Sequence, residues 1–139
     1  MKYWLLKTEP EDWCLDDQIK TNKKGSVWDG VRNFQARNNL KLMSINDLCF
    51  FYHTGKEKKI VGIVKVIKEY FPDKSDLTQN FGSIMVRYYK KFKSPVSLEI
   101  IKKHSLLRHL PLIKQSRLSV MSIDSKSWKI ICKMGKINS

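Results

Sequence analysis

Apolar and polar positions along this chain follow two periods, and each switch between them marks an element. Tyr3, Trp4, Leu5 and Leu6 form an apolar run that ends at Thr8-Glu9-Pro10, the pattern of a buried first strand over Lys2–Thr8 stopped by a proline. Pro10 suits the first turn of a helix, so Glu11–Ile19 predicts one, with Glu11, Asp12, Asp16 and Asp17 in its early turns and Trp13 as its core anchor. Asn22–Ser26 reads as a polar linker, and Val27-Trp28 as a short extended piece broken at Asp29-Gly30. Asn33 is an N-cap for a helix carrying Phe34, Ala36, Leu40 and Met43 on one face.

The second half is richer in strands. Leu48–Tyr52 and Ile60–Ile67 are the clearest, joined by a hairpin-like loop over His53–Lys59, and Gly62 implies a bulge or a close backbone approach. A loop with Pro72-Asp73 leads to a strand over Ser83–Lys90. Ser97 caps a short helix to about His104, Val120–Ile123 is a last strand, and Ser125–Met134 a closing helix carrying Trp128. Five or six short strands with helices between them predict an α+β fold around a small curled sheet or barrel, in one domain over residues 1–139.

Composition narrows the class. An apolar fraction of 42% and an aromatic fraction of 11% belong to a chain that folds. Cys14, Cys49 and Cys132 are odd in number and lack ligand spacing, so buried, reduced thiols are expected. No apolar stretch approaches the roughly 18 residues of a membrane span, and the opening run is too short for a signal peptide, so a cytoplasmic protein off the membrane is expected.

The formal charge of +14 has two readings, attraction to a polyanion, nucleic acid above all, or a solvated lysine surface. Placement of arginine says more. Lysine outnumbers arginine 22 to five, yet Arg32 and Arg37 fall within Trp28–Asn38 and Arg117 within Gln115–Val120, among amide and hydroxyl donors. Arginine's planar fork grips phosphate or carboxylate, or stacks on a ring, so these three are candidate phosphate contacts, against the alternative of solvated or snorkelling side chains. Arg32 lies beside a helix N-terminus, which itself favours an anion.

Trp28 stands where regular structure breaks, which favours a stacking wall for a base-sized planar guest, whereas Trp4, Trp13 and Trp128 sit in periodic apolar elements and read as core. Tyr52-His53-Thr54-Gly55 gathers an aromatic and polar groups at a strand exit, as a pocket wall or as a wetted strand end. His53, His104 and His109 have no metal-ligand spacing, and no glycine fingerprint for phosphate or dinucleotide appears, so neither metal nor cofactor is expected. A nucleophilic Cys49 activated by His53 is the one enzymatic pairing the residues offer.

Tyr3–Pro10, Trp28–Asn38, Phe51–Gly55, Val61-Gly62-Ile63 and Gln115–Val120 together resemble, in order, the signature blocks of the EVE-domain family. The resemblance covers almost the whole chain. It implies a PUA-like fold, a small mixed β-barrel with peripheral helices related to the YTH domains that read methylated adenine in RNA, and a non-catalytic reader of modified bases, particularly modified cytosine in DNA. Lys7-Thr8 resembles the Lys-Ser ending the first YTH strand, and Trp28 the first tryptophan of the aromatic cage. Thr8 and Thr54 stand where serines are common in the family, and Phe34 where a tyrosine is.

The functional expectation is a modified base flipped into a pocket walled by Trp28 and bordered by Tyr52, His53 and Thr54. Lys7, Thr8, Asp29, Asn33 and Ser119 are the candidate edge readers, with Arg32, Arg37 and Arg117 on phosphates. Modified DNA is the leading partner, with an RNA-binding module the first alternative and a small nucleotide-acting enzyme the last. A monomer is expected, acting by occupancy or through a separate effector protein.

Overall fold

A computed structural model describes residues 1–138. Among them, six strands make one mixed sheet: β1 Tyr3–Thr8, β2 Ser26–Trp28, β3 Leu48–His53, β4 Lys59–Pro72, β5 Gly82–Ser97 and β6 Val120–Ile123, in the order β2-β5-β4-β3-β1-β6. Five α-helices pack around it: α1 Leu15–Lys20, α2 Phe34–Lys41, α3 Leu98–Lys103, α4 Pro111–Lys114 and α5 Ser125–Met134. Strands β1 and β3 run parallel, in register from Tyr3 opposite Leu48 to Thr8 opposite His53, and every other pair is antiparallel. Strand β1 lies between β3 and β6, and its consecutive residues Trp4, Leu5 and Leu6, which point to alternate faces, are all buried, so its sequence is a continuous apolar run rather than an alternation.

The α+β class with six strands is as expected, but the barrel is not: the sheet is open. Its edges, β2 and β6, have only three and four residues and do not pair with each other. Helix α2 lies against β6 instead, and the Asn39 side chain donates to the Val120 carbonyl at 2.7 Å, satisfying an edge acceptor that strand pairing would have used. Asn33 caps α2 as the pattern predicts, its Oδ1 accepting from the Ala36 N–H at 2.9 Å.

Two elements depart from the sequence pattern. The helix expected from Glu11 begins only at Leu15, because residues 9–13 form a turn in which the Asp12 and Trp13 N–H groups both donate to the Glu9 carbonyl. The hairpin of β4 and β5 is also far longer than the two strands the alternation marks, and several register shifts let it bend around the core. Gly62 sits at one of these shifts: a Cβ there would stand 2.6 Å from the Lys90 carbonyl oxygen and 2.9 Å from Leu15. The core is closed by Trp128, which stacks on Phe50 at 3.8 Å and on Tyr3 at 4.4 Å between ring centroids.

Candidate functional site

Where β1 ends and β2 runs out, the chain leaves a cleft of about 550 Å³, lined from Lys7 and Thr8, from Asp12 and Trp13, and from Ser26 through Gly30. The turn at residues 9–13 makes one wall. The Thr8 hydroxyl donates to the Trp13 carbonyl at 2.8 Å, which holds Trp13 beside the end of β1, ahead of the first turn of α1. Its indole N–H donates to Oε1 of Gln18 at 2.9 Å, and the Ser26 hydroxyl donates to the same oxygen at 3.0 Å. Gln18 is wholly buried and its amide donates to the Val86 carbonyl of β5, so one side chain ties both walls to the sheet.

Trp28 makes the other wall. Its ring meets Phe51 edge-on at 5.5 Å, an 83° contact that fixes the indole plane from the core side. Gly30 follows at φ +76° with open space around it, so the chain turns away at the cleft mouth without side-chain bulk. Polar groups at the rim are of both kinds. The Lys7 ammonium donates to the Ser116 carbonyl at 2.9 Å and keeps two donors free, and partial burial holds its pKa below the ordinary lysine value. Asp12 and Asp29 are exposed carboxylates at the mouth.

Lys7, Thr8, Trp28 and Asp29, among the residues singled out by sequence, thus come together at one cleft. Tyr52, His53 and Thr54 are adjacent in the sheet but outside its lining. Tyr52 lies beneath Lys7 at 5.8 Å, with burial pushing its phenol up to about 12. His53 is buried, with Nε2 accepting the Leu15 N–H at 3.2 Å and Nδ1 2.9 Å from Glu57, so the ring pins the start of α1. The Thr54 hydroxyl lies 3.3 Å from the Thr8 carbonyl and 3.2 Å from Glu9.

Asn33 and Arg117 line a second, shallower groove of about 310 Å³ with Gln35, Lys114, Gln115 and Ser116. The two sites touch: Lys7 reaches Ser116 with its side chain, and its N–H donates to the Ser119 carbonyl at 2.9 Å. Arg32 and Arg37 point elsewhere. Arg32 pairs with Asp73 at 3.0 Å and lies over Phe81 at 5.6 Å; Arg37 donates to the Asn80 carbonyl and lies over Phe34 at 4.8 Å.

The sequence and the fold have known counterparts. The family model described as EVE domain matches residues 2–134. The chain belongs to the EVE domain family. It is 30% identical to thymocyte nuclear protein 1 of Gallus gallus over 93% of this chain and 66% of that relative, so it spans just under two thirds of the relative's length. An NMR structure of a protein from Rhodopseudomonas palustris is 38% identical, with a TM-score of 0.92 over 98% of this chain and 94% of that one. Human THYN1, solved in complex with 5-methylcytosine-containing DNA, shares the fold at a TM-score of 0.92 with 24% identity and full coverage of both chains.

Within this EVE domain the nucleophilic pairing is not assembled. Burial, with Asp47 nearby, raises the Cys49 thiol well above its ordinary range, and the His53 lone pair is spent on a backbone N–H. His109 sits 2.8 Å from Asp124 and 3.3 Å from Ser127, but both partners meet the same ring nitrogen, so no relay through the imidazole is possible. Among the described residues no three His, Cys, Asp or Glu side chains converge as metal ligands. No helix among them is long and apolar enough to cross a membrane. Trp13, read from the sequence as core, does pack partly buried against the core, and its other side lines the cleft. The clue lay in Pro10 and in the clustered Glu11 and Asp12, which suit a turn as well as a first helical turn.

Proposed function

We propose that this EVE domain is a non-catalytic DNA-binding module that holds one flipped, modified base, methylated cytosine foremost, in the cleft lined by Trp13 and Trp28. The observation that carries the reading is the pairing of two indoles with polar groups of both signs in a cleft of about 550 Å³, within the size range of small-ligand sites. A base pulled from its stack loses a few kcal/mol, and an aromatic face returns roughly 1 to 3 per base, so the edge contacts must favour one base over the rest. Exposed carboxylates at Asp12 and Asp29 suit the exocyclic amine of cytosine, the contact acidic side chains make in DNA readout, while Lys7 offers donors to a base carbonyl. The neighbouring groove with Asn33, Gln35 and Arg117 suits the phosphates of the same strand. The human THYN1 complex with 5-methylcytosine DNA supports the choice of guest.

The test is binding of matched oligonucleotides, plain and 5-methylated, with an RNA strand as competitor. Trp13→Ala, at a partly buried position, should cost methylated DNA about 5- to 150-fold in affinity, the equivalent of one lost stacking contact, and leave plain DNA nearly unchanged. Trp28→Ala should do the same, with thermal melting to separate pocket loss from unfolding. Undiminished preference in a folded Trp13 variant would exclude the cleft.

A further inference from the structure

Charge in this molecule is not spread evenly. Away from the indole cleft, the middle of β5 and the C-terminal end of α5 form an open groove of about 560 Å³ whose lining, among the described residues, includes Lys90, Lys91, Lys93, Lys133 and Lys136 and no carboxylate side chain. Tyr88 and Tyr89 form part of its floor. The scaffold beneath is fixed: the Gly135 carbonyl accepts the N–H groups of Lys93 and Ser94, and a Cβ at Gly135 would stand 2.4 Å from the buried Phe92 ring. Strand and helix end are therefore locked at one spacing. Among the described residues one ion pair relieves this groove, Lys91 with Asp16 at 3.9 Å, and both partners are exposed. Lys90 donates to the Asn138 carbonyl, and Lys65 and Lys90 both lie over the Tyr89 ring, at 4.7 and 5.4 Å.

Lysines at a helix C-terminus have an ordinary use, since Lys133 and Lys136 complement the helix dipole. That accounts for two of the five. It leaves Lys90, Lys91 and Lys93, three cations within four residues of β5, facing the same groove and raising each other's electrostatic cost. Such a cluster becomes favourable when a polyanion supplies the missing charge, and a line of cations along a strand matches a backbone that carries its charges at regular intervals.

We propose that this groove is a second DNA contact, one that takes the phosphodiester backbone without regard to sequence or modification. It rests on the DNA-binding reading but not on the indole cleft, because the two sites share no residue. The cleft would select; the groove would hold neighbouring or looping DNA and raise overall affinity through counterion release.

The experiment compares the wild-type chain with the triple variant Lys90→Gln/Lys93→Gln/Lys133→Gln, with circular dichroism confirming that both are folded. Binding to plain and 5-methylated duplexes is measured from low to moderate salt. Each lost phosphate contact should reduce the slope of log K against log salt by about 0.9, so the triple variant should flatten it by about 2 to 3, equally for both duplexes, with the preference ratio unchanged. An unaltered slope overturns the proposal, leaving the lysines as solvated surface. So does an altered methylation preference, or a variant that loses binding to phosphatidylserine vesicles while its DNA slope stays put. Trp13→Ala run in parallel separates the two claims: slope loss in the lysine variant with preference intact in Trp13→Ala would retire the cleft and keep the groove. A wild-type chain that binds neither duplex at low salt would sink both.

Discussion

At the scale of single residues, Gln18 is the side chain on which the cleft depends, although it touches no guest. Its carbonyl oxygen takes the Trp13 indole N–H and the Ser26 hydroxyl, and its amide meets Val86 and Thr21, all from a position with no solvent exposure. Replacing it with Ala strands buried acceptors and donors, at a cost of about 1–3 kcal/mol, so Gln18→Ala should lower the urea midpoint and, in the still-folded protein, free Trp13 to move. Methylation preference should fall while affinity for plain DNA holds; equal loss on both duplexes would show that Gln18 only supports the fold. Nothing in the sequence marks this residue, because a buried glutamine and a surface glutamine are the same letter until the fold chooses. The break at Asp29-Gly30 marks Trp28 as a residue beside a chain turn, but does not reveal that its ring is buried in the core against Phe51, only 7% exposed. His53 shows the opposite limit: a polar residue at a strand end can face a ligand or a neighbouring helix, and here it accepts the first N–H of α1.

Among elements, the loop at residues 73–81 matters most for the segment that carries Arg32 and Arg37. Asp73 accepts from the Gly30 N–H at 3.1 Å, from Arg32 at 3.0 Å and from both the N–H and hydroxyl of Ser75, while Phe81 stacks on Phe34 at 5.0 Å. Burial works against ionising Asp73, but the Ser75, Arg32 and Gly30 hydrogen bonds outweigh it and hold the carboxyl well below the usual carboxylate range. A depressed folded-state pKa contributes stability that is present above the unfolded value, near 4, and is lost as pH falls from there toward the folded value. Asp73→Asn should therefore destabilise the protein by roughly 1–3 kcal/mol at pH 7, and the gap to wild type should narrow below about pH 4. Thermal melting at pH 7 and pH 3 checks both halves; a gap independent of pH would mean that the charge is irrelevant. The positions of most strands and of helices α2, α3 and α5 could be read from the pattern, whereas the order of the strands in the sheet and the length of β4 and β5 could not. Bulges shift the alternation by one residue at each register break, so the period-two signal fades after Ile67 although pairing continues to Pro72.

For the whole molecule, the net charge of +14 and the indole cleft make separable demands on binding. Lysines scattered over the surface attract any polyanion, and that attraction weakens as salt displaces the counterion release that drives it. Selection by a cleft of neutral indoles with a few edge groups is short-ranged, and ions screen it little once the base is inside. If phosphate contacts come from Arg117 and the five lysines of the β5–α5 groove, about six in all, raising salt from 50 to 200 mM should weaken both plain and methylated duplexes roughly 10³-fold. The ratio between them should stay within about twofold. Titration by fluorescence anisotropy at four salt concentrations measures both quantities from one series. A ratio that collapses with salt would tie discrimination to salt-sensitive contacts of the charged surface and would remove the cleft from the mechanism.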